Sequence, residues 1–345
     1  VEPAMTLIKT AINNGKHVVT ANKELLAKHG EELFDLAAKN NRVILYEGAI
    51  AGGIPIILPV KTILAANKIN KIEAILNGTT NYILTKMDVD KSSYDDVLKE
   101  AQKLGYAEAD PTSDVEGFDA AYKLATLATI SFNKRIKIED VYREGISKVR
   151  AEDIDYANEL GYKIKLIAHA EMLDEENADV RVHPMFVSKN TTLAHIDFVT
   201  NAVTINGFPI GQVTLSGPGA GEFPTASSVA GDIIVLSNEI GTTDYILPMM
   251  RCKHGSVANV VNIKDTTNKY YLSVKVSNKA GVIGKLGLVF AENGISLASL
   301  LQKGVSEDNT ATIVIITELC KEKDVLKAIE DLEKEGCISK LNSMI

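Results

Sequence analysis

The sequence predicts a multidomain chain of mixed α/β and α+β class, on three observations. Helix, strand, helix and strand alternate over residues 1–47, half of a doubly wound sheet. Strand-like runs with local period-two alternation dominate residues 48–216, with helical stretches at 92–104 and 116–131 between the first two. Residues 270–345 then read β-α-β-β-α-β, the split-βαβ order. At 345 residues the chain also exceeds the size at which one core stops growing.

Composition excludes several classes. A formal charge of -8 with no basic tract disfavours nucleic acid, because neutralising phosphates needs clustered Lys and Arg. No apolar run reaches the roughly 18 residues of a membrane span, and the start lacks a signal-peptide pattern. Cys252, Cys320 and Cys337 are too few and scattered for a disulfide framework, which fits a reducing cytoplasm. His17, His29, His169, His183, His195 and His254 make no zinc spacing and are expected to be structural or at the surface.

Taken in order, "VEPAMTLIKTAINNG" reads as a helix with Pro3 in its first turn and Gly15 at its end, and "KHVVTAN" as a short buried strand. "ELLAKHGEELFDLAAKNN" is helical, with Leu25, Leu26, Leu33, Leu36 and Ala37 on its apolar side, and "RVILYEG" is the next strand. Lys23 follows the first strand, where open α/β sheets place ligand-contacting groups; Asn22 suits a helix cap. Lys23 is equally consistent with a solvent lysine opening a surface helix. No glycine-rich strand-to-helix turn precedes these elements and the opening residue is not Met, so an N-terminal βαβ portion is expected to be removed, omitted or carried on another polypeptide.

"EGAIAGGIP", Glu47 to Pro55, is either a tight linker or a loop whose carbonyls and Glu47 carboxylate hold a hard cation. "KIEAILNG", "IKLIAHAEML", "ADVRVHPMFV", "AHIDFVTNAVTIN" and "GQVTLSG" are strand candidates. They are expected to form a sheet with helices on one face and an apolar face left for dimerisation. "NGTTN" at 77–81 offers amides and hydroxyls at a strand end, and "GPGAG" at 217–221 is either a turn or a close backbone approach.

The densest chemistry lies in "AQKLGYAEADPTSDVEGFDAAYK", residues 101–123. Glu108, Asp110, Asp114, Glu116 and Asp119 surround Lys123, the one basic side chain between Lys103 and Lys134. Asp119 and Lys123 are four apart and share a helix face. Such a pair is commonly a surface ion pair of little worth. Here the helix carries Ala120, Ala121, Leu124, Ala125, Leu127 and Ala128, which makes burial of Lys123 in a cleft the alternative.

Ala101, Gly105, Tyr106, Asp110, Pro111, Asp114, Val115, Gly117, Asp119 and Lys123 resemble the signature of the homoserine dehydrogenases at each fixed position. "VEPAMTLIKTAINNGKHVVTANKELLA", "ILNGTTNYIL" and "GPGAGEFPTASSVAGDI" extend the resemblance to about residue 245, and "NKAGVIGKLGLVFAENGISL" resembles an ACT regulatory module. The resemblance implies a partial Rossmann-like nucleotide-binding lobe at 1–47 plus about 217–245 and an α+β substrate and dimerisation domain at 48–216. A linker at 246–269 and a ferredoxin-like ACT domain at 270–345 follow.

It further implies interconversion of L-homoserine and L-aspartate 4-semialdehyde with NADP or NAD. In this reading Lys123 exchanges the proton and Lys23 positions the reacting oxygen. Glu108, Asp114 and Asp119, with Tyr106, Gly78 and Thr79, take the substrate, and Thr20, Ala21, Lys23 and Gly221 border the cofactor. A sodium ion is implied at Glu47, Ile50, Gly52 and Ile54, and an amino-acid effector, threonine first, at Asn278, Gly281 and Val282. That loop departs from the common Asp-Lys/Arg-Pro-Gly form through Asn278 and Ala280. A cytoplasmic homodimer or higher homo-oligomer is expected. The other reading is a non-catalytic amino-acid-sensing or assembly protein that keeps the substrate and ACT domains.

Overall fold

The computed structural model describes residues 1–240, 255–303 and 309–345. Cys252, His254, residues 241–245 of the first lobe, 246–254 of the linker and residues 304–308 lie outside the described residues.

The N-terminal lobe comprises α1 (Ala4–Asn13), β1 (Val18–Val19), α2 (Lys23–Lys39) and β2 (Ile44–Leu45). β1 and β2 pair in parallel, Val18 opposite Ile44 and Val19 opposite Leu45. Met5, Ile8 and Ile12 of α1 and Leu25, Leu26, Leu33 and Ala37 of α2 are buried, the helical spacing of one apolar face. The Asn22 side chain accepts the Leu25 N–H at 3.0 Å and caps α2.

The middle domain runs α3 (Ile57–Lys61), β3 (Lys68–Ile75), α4 (Gly78–Asp90), α5 (Tyr94–Lys103), α6 (Thr112–Val115), α7 (Phe118–Phe132), β4 (Tyr142–Arg143) and α8 (Ala151–Glu159). β5 (Tyr162–Met172), β6 (Asn177–Ser188), β7 (Thr200–Phe208) and β8 (Gly211–Pro218) complete it. The sheet order is β4-β6-β5-β3-β7-β8, with β9 (Asn259–Val260) added beside β6. α9 (Glu222–Glu239) then returns to pack on residues 47–49 and β1.

The sheet's two faces differ. Ile72, Ala74, Ala168, Ala170, Val180, Val182, Val203 and Ile205 alternate onto one face and join α4, α7 and α8 in the main core. The opposite face is not the open apolar surface expected for dimerisation. Its cross-strand row reads Arg181, His169, Glu73, Thr204 and Thr214. Glu73 is held down at about 2, chiefly by its bond to His169 against the penalty of burial. A small cluster of Ile75, Ile167, Leu193, Ile196 and Ala202 is covered by the 192–196 turn.

Two boundaries differ from the sequence reading. The strand expected from Ala194 begins at Thr200, because 192–195 form a 3-10 turn and Phe198 takes a left-handed φ of 55°. The helix expected over 116–131 begins at Phe118 after Gly117 breaks the chain at φ 78°. α4 carries a weak stripe: it is buried at Thr80, Asn81, Tyr82, Ile83, Leu84 and Thr85 in succession, which erases the periodicity that betrays a surface helix.

The C-terminal domain is announced by β10 (Thr267–Asn268) and built from β11 (Tyr271–Ser277), α10 (Val282–Glu292), β12 (Leu297–Lys303), β13 (Thr310–Thr317), β14 (Cys320–Lys321), α11 (Glu322–Lys334) and β15 (Lys340–Met344). β12-β13-β11-β15 form an antiparallel sheet, and β10 pairs with β14. Leu286, Phe290, Val325 and Leu332 pack the two helices over Leu272, Val274, Ile313 and Ile315. The domain docks on the middle sheet: Phe186 stacks on Tyr271 with ring centroids 4.5 Å apart, and the Tyr271 hydroxyl donates to Asp153 at 2.9 Å.

Candidate active site

α7 carries Asp119 and Lys123 one turn apart, and both are buried. The Lys123 Nζ lies 2.7 Å from Asp119 Oδ2 and donates to the Leu76 carbonyl at 2.7 Å. The second Asp119 oxygen pairs with Lys23, which stands at the first turn of α2 and remains part-exposed. One buried carboxylate therefore bridges two ammonium groups from different lobes. Burial works against the Asp119 charge, but Lys123 and Lys23 outweigh it and hold the carboxyl below its usual range. Burial also pushes Lys123 below its ordinary value, opposed by Asp119 and reinforced by Lys23.

Asn77 completes the cluster. Its amide donates to Asp114 Oδ1 at 2.7 Å and to Asp119 Oδ2 at 2.9 Å, while its Oδ1 accepts the Thr80 N–H at 2.8 Å and caps α4. The Asp114 carboxyl is pushed up by burial, opposed by the Asn77 bond and aided by the nearby Asp119 charge. The Gly117 break makes this convergence possible, since it lets the short α6 deliver Asp114 and the longer α7 deliver Asp119 to one amide.

Gly78 opens α4, and Thr79 donates to the Tyr106 carbonyl at 2.7 Å. Tyr106 is exposed, with its ring 4.9 Å from that of Tyr82. Glu108 stays outside the cluster: it is exposed, and its main-chain carbonyl accepts from Gln102 at 3.1 Å. Asn77 is the residue the sequence reading passed over. Its signal was present, a cap-type residue between a strand and the Gly-Thr-Thr run.

Thr20 and Ala21 lie just beyond β1, with the Asn22 N–H donating to Thr20 Oγ1 at 3.2 Å. A Cβ on Gly48 would stand 3.5 Å from the Ala21 methyl and 3.4 Å from Thr225, so the ends of β1 and β2 meet the first turn of α9. Gly221 caps α9 at φ 112°. A helix start facing the carboxyl ends of parallel strands suits the diphosphate and nicotinamide end of a dinucleotide. Gly52 touches the backbone of Gly219 and Ala220 so closely that a Cβ would collide.

Glu47 has a defined structural task. Its carboxylate accepts the N–H groups of Ile56 at 2.5 Å, Ile57 at 2.7 Å and Leu58 at 2.8 Å, capping α3. A carboxylate offers about four acceptor positions, so one remains. The Gly52 carbonyl accepts from Ser228 at 2.7 Å. No group of three or more His, Cys, Asp or Glu side chains is arranged for a metal among the described residues.

In the C-terminal domain Gly281 holds φ 89° ahead of α10, and Asn278 is exposed with its N–H donating to the Asn309 carbonyl at 3.0 Å. A cavity of about 240 Å³ is lined by this loop and by Gln302 and Ile313.

Comparison with known proteins agrees over the whole length. Residues 55–234 match the homoserine dehydrogenase family, 1–47 match the homoserine dehydrogenase NAD binding domain, and 270–337 match the ACT domain. The homoserine dehydrogenase of Synechocystis is 43% identical, the match covering 100% of this chain and 81% of that protein. That of Neisseria gonorrhoeae is 41% identical over 99% and 79%. The crystal structure of a homoserine dehydrogenase from Thiobacillus denitrificans superposes with a TM-score of 0.94 at 38% identity, covering 100% of this chain and 78% of that one. A hyperthermophilic archaeal homoserine dehydrogenase in complex with NADPH gives 0.61 at 34% identity over 69% of each chain.

Proposed function

The chain belongs to the homoserine dehydrogenase family, and from that premise we propose that Lys123 is its proton-exchanging group and that Asp119, Lys23 and Asn77 hold it in place. The reaction is the interconversion of L-homoserine and L-aspartate 4-semialdehyde with a nicotinamide cofactor. No finding favours the non-catalytic sensing or assembly reading.

The observation that carries the roles is a buried lysine held by one carboxylate and one carbonyl. A nicotinamide cofactor, when bound, supplies or takes up the hydride. In reduction Lys123 gives a proton from Nζ to the aldehyde oxygen; in oxidation its neutral amine takes the hydroxyl proton. Lys23 orients that oxygen and offsets its developing charge. Asp114 and Glu108, with the Gly78–Thr79 turn and Tyr106, take the substrate's ammonium end, and Thr20, Ala21 and Gly221 border the cofactor. Assay in both directions with NAD and NADP tests the reading.

The pH profile follows from the Lys123 environment. Homoserine oxidation should rise with pH through an ionisation below the lysine's ordinary 10.5, because oxidation needs the neutral amine and burial favours it. Reduction should fall through the same ionisation. Lys123→Arg, which stays charged, should remove that limb; an oxidation profile that keeps it contradicts the assignment.

The Glu47–Ile54 loop fits a sodium ion held by the Ile50, Gly52 and Ile54 carbonyls and the remaining Glu47 position. Asp232 accepts the Glu47 N–H at 2.9 Å and is pushed up to about 6 by burial, against that bond and with help from the Glu47 charge. Two buried carboxyls in one corner favour a cation. Replacing sodium by choline should lower the melting temperature, and a melt indifferent to sodium would leave Glu47 as a helix cap only.

The ACT domain points to an amino-acid effector, and we assign it first to Asn278, Gly281 and Val282, with threonine the leading candidate. Gly281 is a poor test position, since its left-handed backbone strains any substitute. Asn278→Ala is the cleaner one. We also assign a homodimer, to be measured by sedimentation equilibrium.

A further inference from the structure

Residues 217–221 carry the chain out of β8 and into α9, from the middle sheet to the nucleotide lobe. This link is held on its lobe side: the Gly53 N–H donates to the Pro218 carbonyl at 3.0 Å, and Ser228 of α9 donates to the Gly52 carbonyl at 2.7 Å. On its other side lies Asn201, the second residue of β7, whose side chain fills the gap between Gly219 and Gly78. A Cβ on Gly219 would fall on the Asn201 amide. One on Gly78 would stand 3.5 Å from Asn201 Oδ1 and 2.9 Å from the Val199 carbonyl.

The Asn201 amide is buried and unused. The residue is 1% exposed, and among the described residues neither its Oδ1 nor its Nδ2 has a hydrogen-bond partner. Two buried asparagines beside it show the contrast. Asn77 donates to Asp114 and Asp119 and accepts from Thr80. Asn81 donates to the Ile196 carbonyl at 3.0 Å and the Thr200 carbonyl at 3.1 Å, and its Oδ1 accepts from Lys165 at 3.0 Å. Asn81 thereby fixes α4, and with it the Gly78 turn, to the start of β7. A buried amide that pairs with nothing destabilises the arrangement that strands it, and an arrangement that pairs it is favoured by the same free energy. Packing alone does not call for an amide here.

We propose that Asn201 is a positioning residue for the reaction: with homoserine and the nicotinamide cofactor both bound, its amide hydrogen-bonds the main chain of the Gly219–Ala220 link and sets the nucleotide lobe against the Gly78–Thr79 turn. Glycines at 52, 78 and 219 put no side chain in the path of the small shift this needs. The inference rests on the assignment of Gly78 and Thr79 to the substrate and of Gly221 to the cofactor. Asn201 itself touches neither ligand, since its polar atoms are enclosed by the link and the turn.

Such pairing links the two ligands. The free energy gained by the amide in the ternary complex tightens homoserine once the cofactor is present, and the cofactor once homoserine is present, by the same factor. Because the bonds already exist in the ground-state complex, losing them raises KM and leaves kcat nearly unchanged. The Lys123 bonds run to Asp119 and Leu76, so its ionisation in the oxidation profile should stay in place.

The test is calorimetric titration of L-homoserine into the protein saturated with NADPH or NADH, a pair that cannot react, beside the melting temperature of the ligand-free protein. Asn201→Leu should melt at or above the unaltered protein, because it removes two stranded groups and breaks no bond. It should nonetheless bind homoserine roughly 10-fold more weakly, the worth of one neutral hydrogen bond, while the reduced cofactor alone binds unchanged. Asn201→Val and Asn201→Thr share one shape and differ by a hydroxyl, so they decide the matter if Leu does not fit. Without ligands the Val variant should melt higher than the Thr variant; with the reduced cofactor bound, the Thr variant should bind homoserine more tightly. A Val variant that melts lower than the Thr variant overturns the proposal, because the amide would then be bonded already. Thr79→Ala separates the proposal from the reading beneath it. Homoserine binding weakened in Thr79→Ala but not in the Leu and Val variants overturns the proposal alone; binding unchanged in Thr79→Ala overturns the substrate assignment and the proposal with it.

Discussion

Lys123→Ala should lower turnover about 10²–10⁴-fold in both directions, the span over which a positioned acid–base group contributes. Substrate affinity should change far less, because the proton moves only as the transition state forms. The fold should hold: the substitution removes the buried ammonium and leaves α7 with the strongest helix former. The remaining Asp119 stays paired with Lys23 and bonded to Asn77. Steady-state kinetics with homoserine and with aspartate semialdehyde measure it. Turnover equal to that of the unaltered protein would show that Lys123 only fills space and charge beside Asp119.

Asp119→Ala should cost both stability and rate. The substitution leaves Lys123 with the Leu76 carbonyl as its one described partner and brings it uncompensated against Lys23. Stranding one member of a buried ion pair typically costs about 3–5 kcal/mol, and this carboxylate serves two. Asp119 is also the largest influence holding the Lys123 pKa up, so the ionisation in the oxidation profile should move to lower pH. Urea melts and the pH profile read the two effects separately. A profile that does not move would mean that the titrating group is not Lys123.

The 101–123 stretch shows how far composition and spacing reach. An Asp and a Lys four apart on a helix rich in small apolar residues were legible as a candidate buried pair, because helical geometry fixes neighbours at that distance. The parallel β1–α2–β2 unit and the β-α-β-β-α-β order were legible too, since short strands between strongly patterned helices leave few topologies. The contacts between distant segments were not in the pattern: nothing in "ILNGTTN" says that Asn77 will divide its amide between Asp114 and Asp119.

The sequence by itself determined the family, the element order of both outer domains and the residue types of the acid–base cluster. These are local or carried by motifs, where a residue's neighbours along the chain set its conformation. Tertiary structure alone decided that the second face of the middle sheet is a polar row, that Glu47 caps α3, and that Lys23 and Lys123 share one carboxylate. Such facts depend on which distant segments meet. Asp119 and Lys23 are far apart in the chain, and only the docking of α2 against α7 brings a surface-type lysine to a buried acid. His183 Nε2 and Arg181 Nε, buried without a hydrogen-bond partner among the described residues, arise the same way, from a strand and a second domain that bury one another's polar atoms without pairing all of them.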